Sequence, residues 1–424
     1  MSEVNWAGNY TYSAERLHRP STLEQVREIV ASAPRVRVLG SRHSFSDIAD
    51  STELVSLAGL PADVVVERAA GTVSFGAGMT YGDLAGVLWH EGLALHNLAS
   101  LPHISVAGAV ATATHGSGNA SGNLATAVAG LEIVTSGGEI VTASRGHADF
   151  DGLVVGLGAL GAVTRLTLDV EPAYDVRQRV FEGLTWDALY GHFDEITASG
   201  DSVSVFTGWR QIVDQVWVKS RVTDAPEQVR GDLFGARAAT VDRHPILGLD
   251  AVNCTPQLGR PGPWSDRMSH FRLGFTPSSG EELQSEFLVP REHAVAAIQA
   301  MQALEDRIRP VLQVCEIRTV AADRLWMSPQ YARDTIGIHF TWMPKPDEVA
   351  CVLADVEAAL AAFQARPHWG KVFQADAVTL AALYERLPDF IGLIERLDPR
   401  GAFCNPWLQA RVLGAAKRLP VACE

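Results

Sequence analysis

The chain has 424 residues, 47% of them hydrophobic and 20% charged, which is ordinary globular material with ample core and length for two or three domains. Lys plus Arg number 35 against 49 Asp plus Glu, a formal net charge of -14 that argues against a nucleic-acid partner, because phosphate binding needs clustered bases. Five scattered cysteines with no C-x-x-C spacing argue against a disulfide framework or zinc ribbon and for a reducing compartment. The opening MSEVNWAGNYTYSAERL lacks the basic and apolar regions of a secretory signal. No apolar run reaches about 18 residues. A cytoplasmic protein without a membrane span is the expectation.

In chain order, STLEQVREIVA opens with Ser21 and Glu24 at capping-box spacing, and Leu23, Val26 and Val30 recur at helical intervals. RVRVLG alternates as a short strand and runs into GSRHS, a turn with a histidine on its tip. VVVERAAGTVSFGAG reads as two strands around a glycine turn. TYGDLAGVLWHEG reads as a helix with Thr80 and Asp83 at its start and Gly92 at its stop. LEIVTSGGEIVTA predicts a hairpin, and AVTRLTLDV alternates again. Many short strands with few helices predict an α+β fold and not the βαβα alternation of a doubly wound one. Near 175–180 the character shifts. Residues 222–266 are rich in Pro and Gly and predict long loops; REHAVAAIQAMQALEDRI and PDEVACVLADVEAALAAF predict helices, and VLQVCEIRTV and TIGIHFTWM predict strands.

GLGALG at 156–161 matches G-x-G-x-x-G, but a dinucleotide fingerprint must open a helix, and an alternating strand follows here. Between Ser105 and Gly118, eleven of fourteen residues are Gly, Ala, Ser or Thr. Such a stretch is either a tightly packed buried segment or a cradle that lets backbone approach a diphosphate and its ring system. In VCEIRTV, Glu316 and Arg318 share one strand face. In IGIHFTW, His339 and Thr341 share one, with Ile336, Ile338 and Phe340 opposite. Those faces are either a solvated sheet surface with a cross-strand ion pair or the wall of a cavity for a substrate with several hydroxyls. RPHWGKVF sets His368 and Lys371 beside a glycine and a tryptophan; the lysine is either an exposed loop residue or a group that holds a hydroxyl. His96, His103 and His115 lack metal-ligand spacing, H-E-x-x-H and G-x-S-x-G are absent, and no metal is expected.

Taken in order, GSRHS, SVAGAVATATHGSG and GALGAVTRLTL resemble the FAD domain of the vanillyl-alcohol-oxidase superfamily. NLASLPHISVAG, CEIRTVAAD, IHFTW and RPHWGKVF narrow the resemblance to alditol (xylitol and sorbitol) oxidases, from NWAGN to LDPRGAFCNPW. The resemblance implies a two-domain architecture: an FAD-binding domain over 1–175, a substrate-binding cap domain with an antiparallel sheet over 176–375, and a segment over 376–424 returning to the first.

It also implies that Val38, Leu39, Gly40, Ser41, Arg42, His43 and Ser44 wrap the flavin, with His43 as the covalent attachment point through the 8α-methyl group. Ser105, Gly108, Ala109, Val110 and Ala111 would hold the cofactor, with Gly158, Gly161 and Val163 further along it and His368 reaching the ring. Ser100 would touch both flavin and substrate. Glu316, Arg318, Thr341 and Lys371 would bind the polyol, and Arg318, Lys371 and His339 would carry the catalytic roles. The implied reaction oxidises a terminal CH–OH to an aldehyde, with oxygen reduced to hydrogen peroxide, so polyol and oxygen are the expected partners; a monomer is expected because no unexplained apolar helix is left over. Arg42 departs from the family, which carries glycine there; a Cβ is costly at that position if φ is positive. An aldonolactone oxidase or dehydrogenase of the same superfamily is the nearest alternative. A nicotinamide dehydrogenase and a flavoprotein without turnover are the others.

Overall fold

The computed structural model describes residues 3–223, 231–275 and 281–415. The N-terminal part holds a three-stranded parallel sheet, Arg16–His18, Glu53–Val55 and Val36–Val38, with the middle one central. Beside it lies a five-stranded antiparallel sheet in the order Val65–Glu67, Thr72–Gly76, Ala162–Asp169, Val128–Val134, Ile140–Ser144. Ala162–Asp169 shows why alternation was a sound guide: Ala162, Thr164, Leu166 and Leu168 are buried, while the residues between them are half-buried. The strand after GLGALG is therefore real, and the dinucleotide-fingerprint reading fails as its context required.

The first helix is Leu23–Ser32. Its cap is Thr22, whose hydroxyl accepts from Gln25 N, and not Ser21; Gln25 instead reaches back to Ser21 N. The second is Tyr81–His90, capped by Thr80, with Gly92 at φ +69 just beyond it. Between Ser105 and Gly118 the chain forms one short helix, Val106–Ala111.

The rest is built on a ten-stranded sheet, antiparallel throughout its pairings. Its middle reads Asp175–Glu182, Gln215–Arg221, Ser202–Thr207, Leu312–Val320, Thr335–Trp342, Leu283–Pro290. The expected helix over 291–308 is split into Ala294–Gln302 and Glu305–Ile308, with Leu304 N bonding Met301 O in a tighter turn between them. Ala294–Gln302 and Pro346–Ala361 pack on the sheet. Residues 402–405 return to the N-terminal part: Val36 N donates to Ala402 O, and Asn405 Nδ2 donates to the carbonyls of Asp47, Ile48 and Asp50. No helix among the described residues is long and apolar enough to cross a membrane.

Candidate active site

One continuous cleft runs between the small-residue stretch and the ten-stranded sheet. It encloses about 1520 Å³ of empty space counted to its open mouth.

Its floor is the 38–44 loop against the Val106–Ala111 helix. The side chain of Ser105 fits between two glycines: a Cβ on Gly40 would stand 2.5 Å from Ser105 Oγ, and one on Gly108 2.6 Å. Ser105 N donates to Ser41 Oγ at 2.9 Å, which ties the two segments together. Small residues are thus required for the close approach, and Ser105, Gly108, Ala109, Ala111, Thr112 and Thr114 of this stretch face the cleft. His43 lies at its end, its ring stacked on Trp6 with centroids 5.3 Å apart. Both His43 nitrogens are buried without a hydrogen bond of normal geometry, with the Ser41 backbone as a weak polar neighbour. Burial pushes this imidazole down to about 4, so it is neutral near pH 7.

Arg42 has φ 63, the left-handed region in which a Cβ is unfavourable, and its guanidinium pairs with Glu3. In GLGALG, Leu157 and Gly158 have φ of +50 and +64. The buried Arg37 donates to the carbonyls of both residues, at 2.7 and 2.8 Å, and a Cβ on Gly158 would run into its guanidinium.

The opposite wall comes from three neighbouring strands. In register, Glu316 lies beside His339, and His339 beside Glu286. Arg318 lies opposite Gly337. A Cβ there would meet Glu286 Oε1 at 2.8 Å, so the glycine leaves room for that carboxylate. Glu286 Oε1 receives Arg318 Nη2 at 3.0 Å and faces His115 Nε2 at 3.1 Å; its Oε2 receives Lys371 Nζ at 2.6 Å. Burial alone would raise Glu286, but Lys371, His115 and Arg318 together hold it well below the usual carboxylate range. Burial would likewise raise Glu316, yet Arg318 and His270 hold it low. Burial lowers Arg318 less than Glu316 and Glu286 raise it. His339 is pushed by burial down to about 4; its Nδ1 faces Glu316 Oε2 at 3.6 Å, and its Nε2 has no partner. The sheet face is therefore the wall of a buried cavity and not a solvated surface.

Most of the residues singled out in the sequence meet here. Val38 to Ser44, Ser100, Ser105, Gly108, Ala109, Ala111, Gly158 and His368 line the cleft together with Glu316, Arg318, His339, Thr341 and Lys371. Ser100 Oγ stands 3.4 Å from Arg318 Nη1, linking floor and wall. Lys371 is buried against Glu286 and is not an exposed loop residue. Val110, Gly161 and Val163 do not reach the cleft. They line a small void beneath the cradle, and Gly161 is a glycine because a Cβ would collide with Ile133 and with Val134 O at 2.5 Å. The sequence reading missed Glu286, His115 acting as its partner, His270 and Lys219. The only signal for Glu286 was a lone acid in the apolar run LQSEFLVP.

His115, Glu286 and His368 bring ligand atoms within 4.8 Å of one another. Glu286 is already neutralised by Lys371 and Arg318, however, so an added cation would meet two competing charges.

An FAD-binding domain family matches residues 14–144, and a D-arabinono-1,4-lactone oxidase family matches residues 280–411. An alditol oxidase from Streptomyces sp. is 49% identical over 96% of this chain and 98% of its own length. The chain belongs to the alditol oxidase family. An L-gulono-1,4-lactone dehydrogenase from Mycobacterium tuberculosis is more distant, 28% identical over 97% of this chain and 98% of that one. Among solved structures, a cholesterol oxidase from B. sterolicum superposes with TM-score 0.79 over 97% of this chain and 96% of that chain, at 16% identity. That likeness establishes the fold alone, a two-domain architecture of mixed helix and antiparallel sheet, and the match over residues 14–144 marks its FAD-binding domain. For this alditol oxidase family member, the cleft fits FAD: a floor where added Cβ atoms would intrude, and an imidazole whose nitrogens are otherwise unused.

Proposed function

We propose that the chain is an FAD-dependent oxidase of open-chain polyols such as xylitol and sorbitol, with the flavin joined covalently to His43. The observation that carries the reading is the buried Glu316–His339–Glu286 row, with Arg318 and Lys371, on the wall facing the small-residue cradle. Four charged groups of both signs on one wall, three of them buried, suit a guest that offers several hydroxyls as donors and acceptors. The identity to the Streptomyces alditol oxidase supports the same substrate class.

Held by the 38–44 loop, Ser105 and Gly108, FAD would supply the two-electron acceptor for the hydride of the alcohol carbon and the route of those electrons to oxygen, with hydrogen peroxide as the product. The chain's own residues handle the hydroxyl. His339 is neutral with a free Nε2, so it takes the hydroxyl proton, while Glu316 faces its other nitrogen and stabilises the imidazolium that results. Lys371 and Arg318 stabilise charge developing on the oxygen. Burial lowers Lys371, but Glu286 at 2.6 Å works against that and favours the ammonium. The division of labour is thus His339 as base and Lys371 as electrostatic support. Glu316 and Thr341 accept hydrogen bonds from hydroxyls further along the polyol, and Ser100 holds the reacting end. Four described cysteines, two of them buried, are all unpaired, which supports a cytoplasmic setting. The polyol and oxygen are the only partners this reading needs, and a monomer suffices for it.

The test is anaerobic addition of xylitol to the purified yellow protein. Loss of the oxidised-flavin absorbance, and peroxide on readmission of air, are expected. Bleaching by L-gulono-1,4-lactone and not by xylitol would replace this reading with a lactone oxidase, which the match over residues 280–411 makes the alternative. A colourless protein would overturn both.

A further inference from the structure

Behind Glu316 the wall continues into a chain of buried polar groups that the reaction above leaves unused. Lys219, on strand Gln215–Arg221, is 1% exposed. Its Nζ donates to Met268 O, to Ser269 O at 3.0 Å and to His270 Nδ1 at 3.1 Å. His270 Nε2 in turn stands 2.8 Å from Glu316 Oε1. Glu316 Oε2 is left to face His339 Nδ1 and Arg318 Nε, each at 3.6 Å.

The donor inventory fixes the protons. An ammonium has three donors and no acceptor, and here three acceptors meet it. His270 Nδ1 must therefore accept, so the imidazole's single proton sits on Nε2 and points at Glu316. The reverse tautomer would aim a lone pair at the carboxylate. A neutral lysine, able to accept as well as donate, would permit both.

We propose that Lys219 and His270 are positioning residues for polyol binding: the Lys219 ammonium locks the His270 tautomer, which keeps one oxygen of Glu316 occupied and turns the other towards His339 and the substrate. The proposal rests on the polyol reading of the same cleft. Its consequence is a pH dependence that originates outside the residues touching substrate. Burial pushes Lys219 down to about 7, with Glu316 opposing that shift, Cys254 doing so to a lesser degree and Arg318 adding to it. His270 contributes no charge near neutrality, because burial pushes it down to about 4. Above neutral pH the lock therefore loosens.

The test compares wild type, Lys219→Met and His270→Gln as flavin-loaded enzymes, by KM and kcat for xylitol from pH 6 to 9. A second readout is the ¹⁵N spectrum of histidine-labelled protein, with His270 assigned by its disappearance in His270→Gln. Wild type is expected to show one His270 tautomer at pH 6 and a rising KM above pH 7. Lys219→Met is expected to keep the flavin spectrum, raise KM about tenfold with less effect on kcat, mix the tautomers, and lose the alkaline rise; tenfold is one charge-assisted hydrogen bond weakened. His270→Gln retains an amide donor for Glu316, so its KM rises less, and its alkaline rise is also lost. Wild-type KM and pH profile in Lys219→Met overturn the proposal. Should that variant not fold, an alkaline rise retained in His270→Gln overturns it. A wild type that xylitol does not bleach sinks the polyol reading instead, and the tautomer spectrum, which needs no turnover, still decides the lock.

Discussion

Glu286 Oε2 lies 2.6 Å from Lys371 Nζ, while its other oxygen is 3.0 Å from Arg318 Nη2. One buried carboxylate thus holds both cations proposed to meet the substrate oxygen. Glu286→Gln keeps the shape and removes the charge. It is expected to lower kcat/KM for xylitol by about 10²-fold or more, since Lys371 loses the neighbour that favours its ammonium. It should also destabilise the fold by roughly 3 kcal/mol, because Arg318 and Lys371 are left without that buried counter-charge. Stopped-flow bleaching and denaturant unfolding check the two effects.

Arg318→Ala removes a guanidinium between the two carboxylates, 3.6 Å from Glu316 and 3.0 Å from Glu286. The flavin spectrum should survive, because Arg318 belongs to the sheet wall and not to the cradle. Anaerobic bleaching by xylitol should slow by about 10²- to 10³-fold, the range for losing one preorganised donor to developing negative charge. Bleaching at the wild-type rate would mean the substrate wall is misassigned.

These two residues mark what the sequence makes legible. A period of two in CEIRTV and IGIHFTW is enough to put Glu316 with Arg318 and His339 with Thr341. It cannot say that the two faces are buried, because that follows from three strands meeting the 38–44 and 100–115 segments across a cleft. Glu286 lies on the neighbouring strand Leu283–Pro290, and its role exists only through register with His339. Lys219 follows the apolar run Val216–Trp217–Val218 as a lone lysine; only packing against residues 268–270 makes it a buried ammonium. The floor was more legible, since small residues are demanded locally by close backbone approach. Even so, the tryptophan that stacks on His43 comes from Trp6, far from the motif.

Covalent attachment is read most directly by acid precipitation. The denatured wild-type pellet should stay yellow, and His43→Ala should release its flavin into the supernatant. Loss of the bond need not abolish binding, since Gly40, Ser105 and Gly108 shape the floor independently of that imidazole. A wild-type supernatant that carries the flavin would refute the His43 link.

Arg42 offers a separate check, because its left-handed φ of 63 is strained for any residue with a Cβ. Arg42→Gly relieves about 1 kcal/mol of that strain. It also forfeits the half-exposed pair with Glu3, worth less than about 1 kcal/mol. The expected result is stability within about 1 kcal/mol of wild type by denaturant titration, and an unchanged yellow pellet. A colourless pellet would give the Arg42 side chain a part in flavin attachment.

The buried histidines set the last expectation, for stability against pH. His270 and His339 are each held near 4 by burial, whereas an unfolded imidazole titrates near 6.5. Between those values the unfolded chain binds more protons than the folded one, so stability falls as pH falls. From pH 6.5 to 5 the loss is roughly 2 kcal/mol for each imidazole. Glu286 and Glu316, held below the usual carboxylate range, add a loss of the same sign once pH passes below about 4.5. The melting temperature of the flavin-loaded enzyme should therefore decline steadily from pH 7 to 5. His270→Gln, which removes one of these buried imidazoles while His43, His339 and His368 keep theirs, should lessen that decline by its share; an equally steep decline in the variant would mean that His270 is not kept neutral by burial.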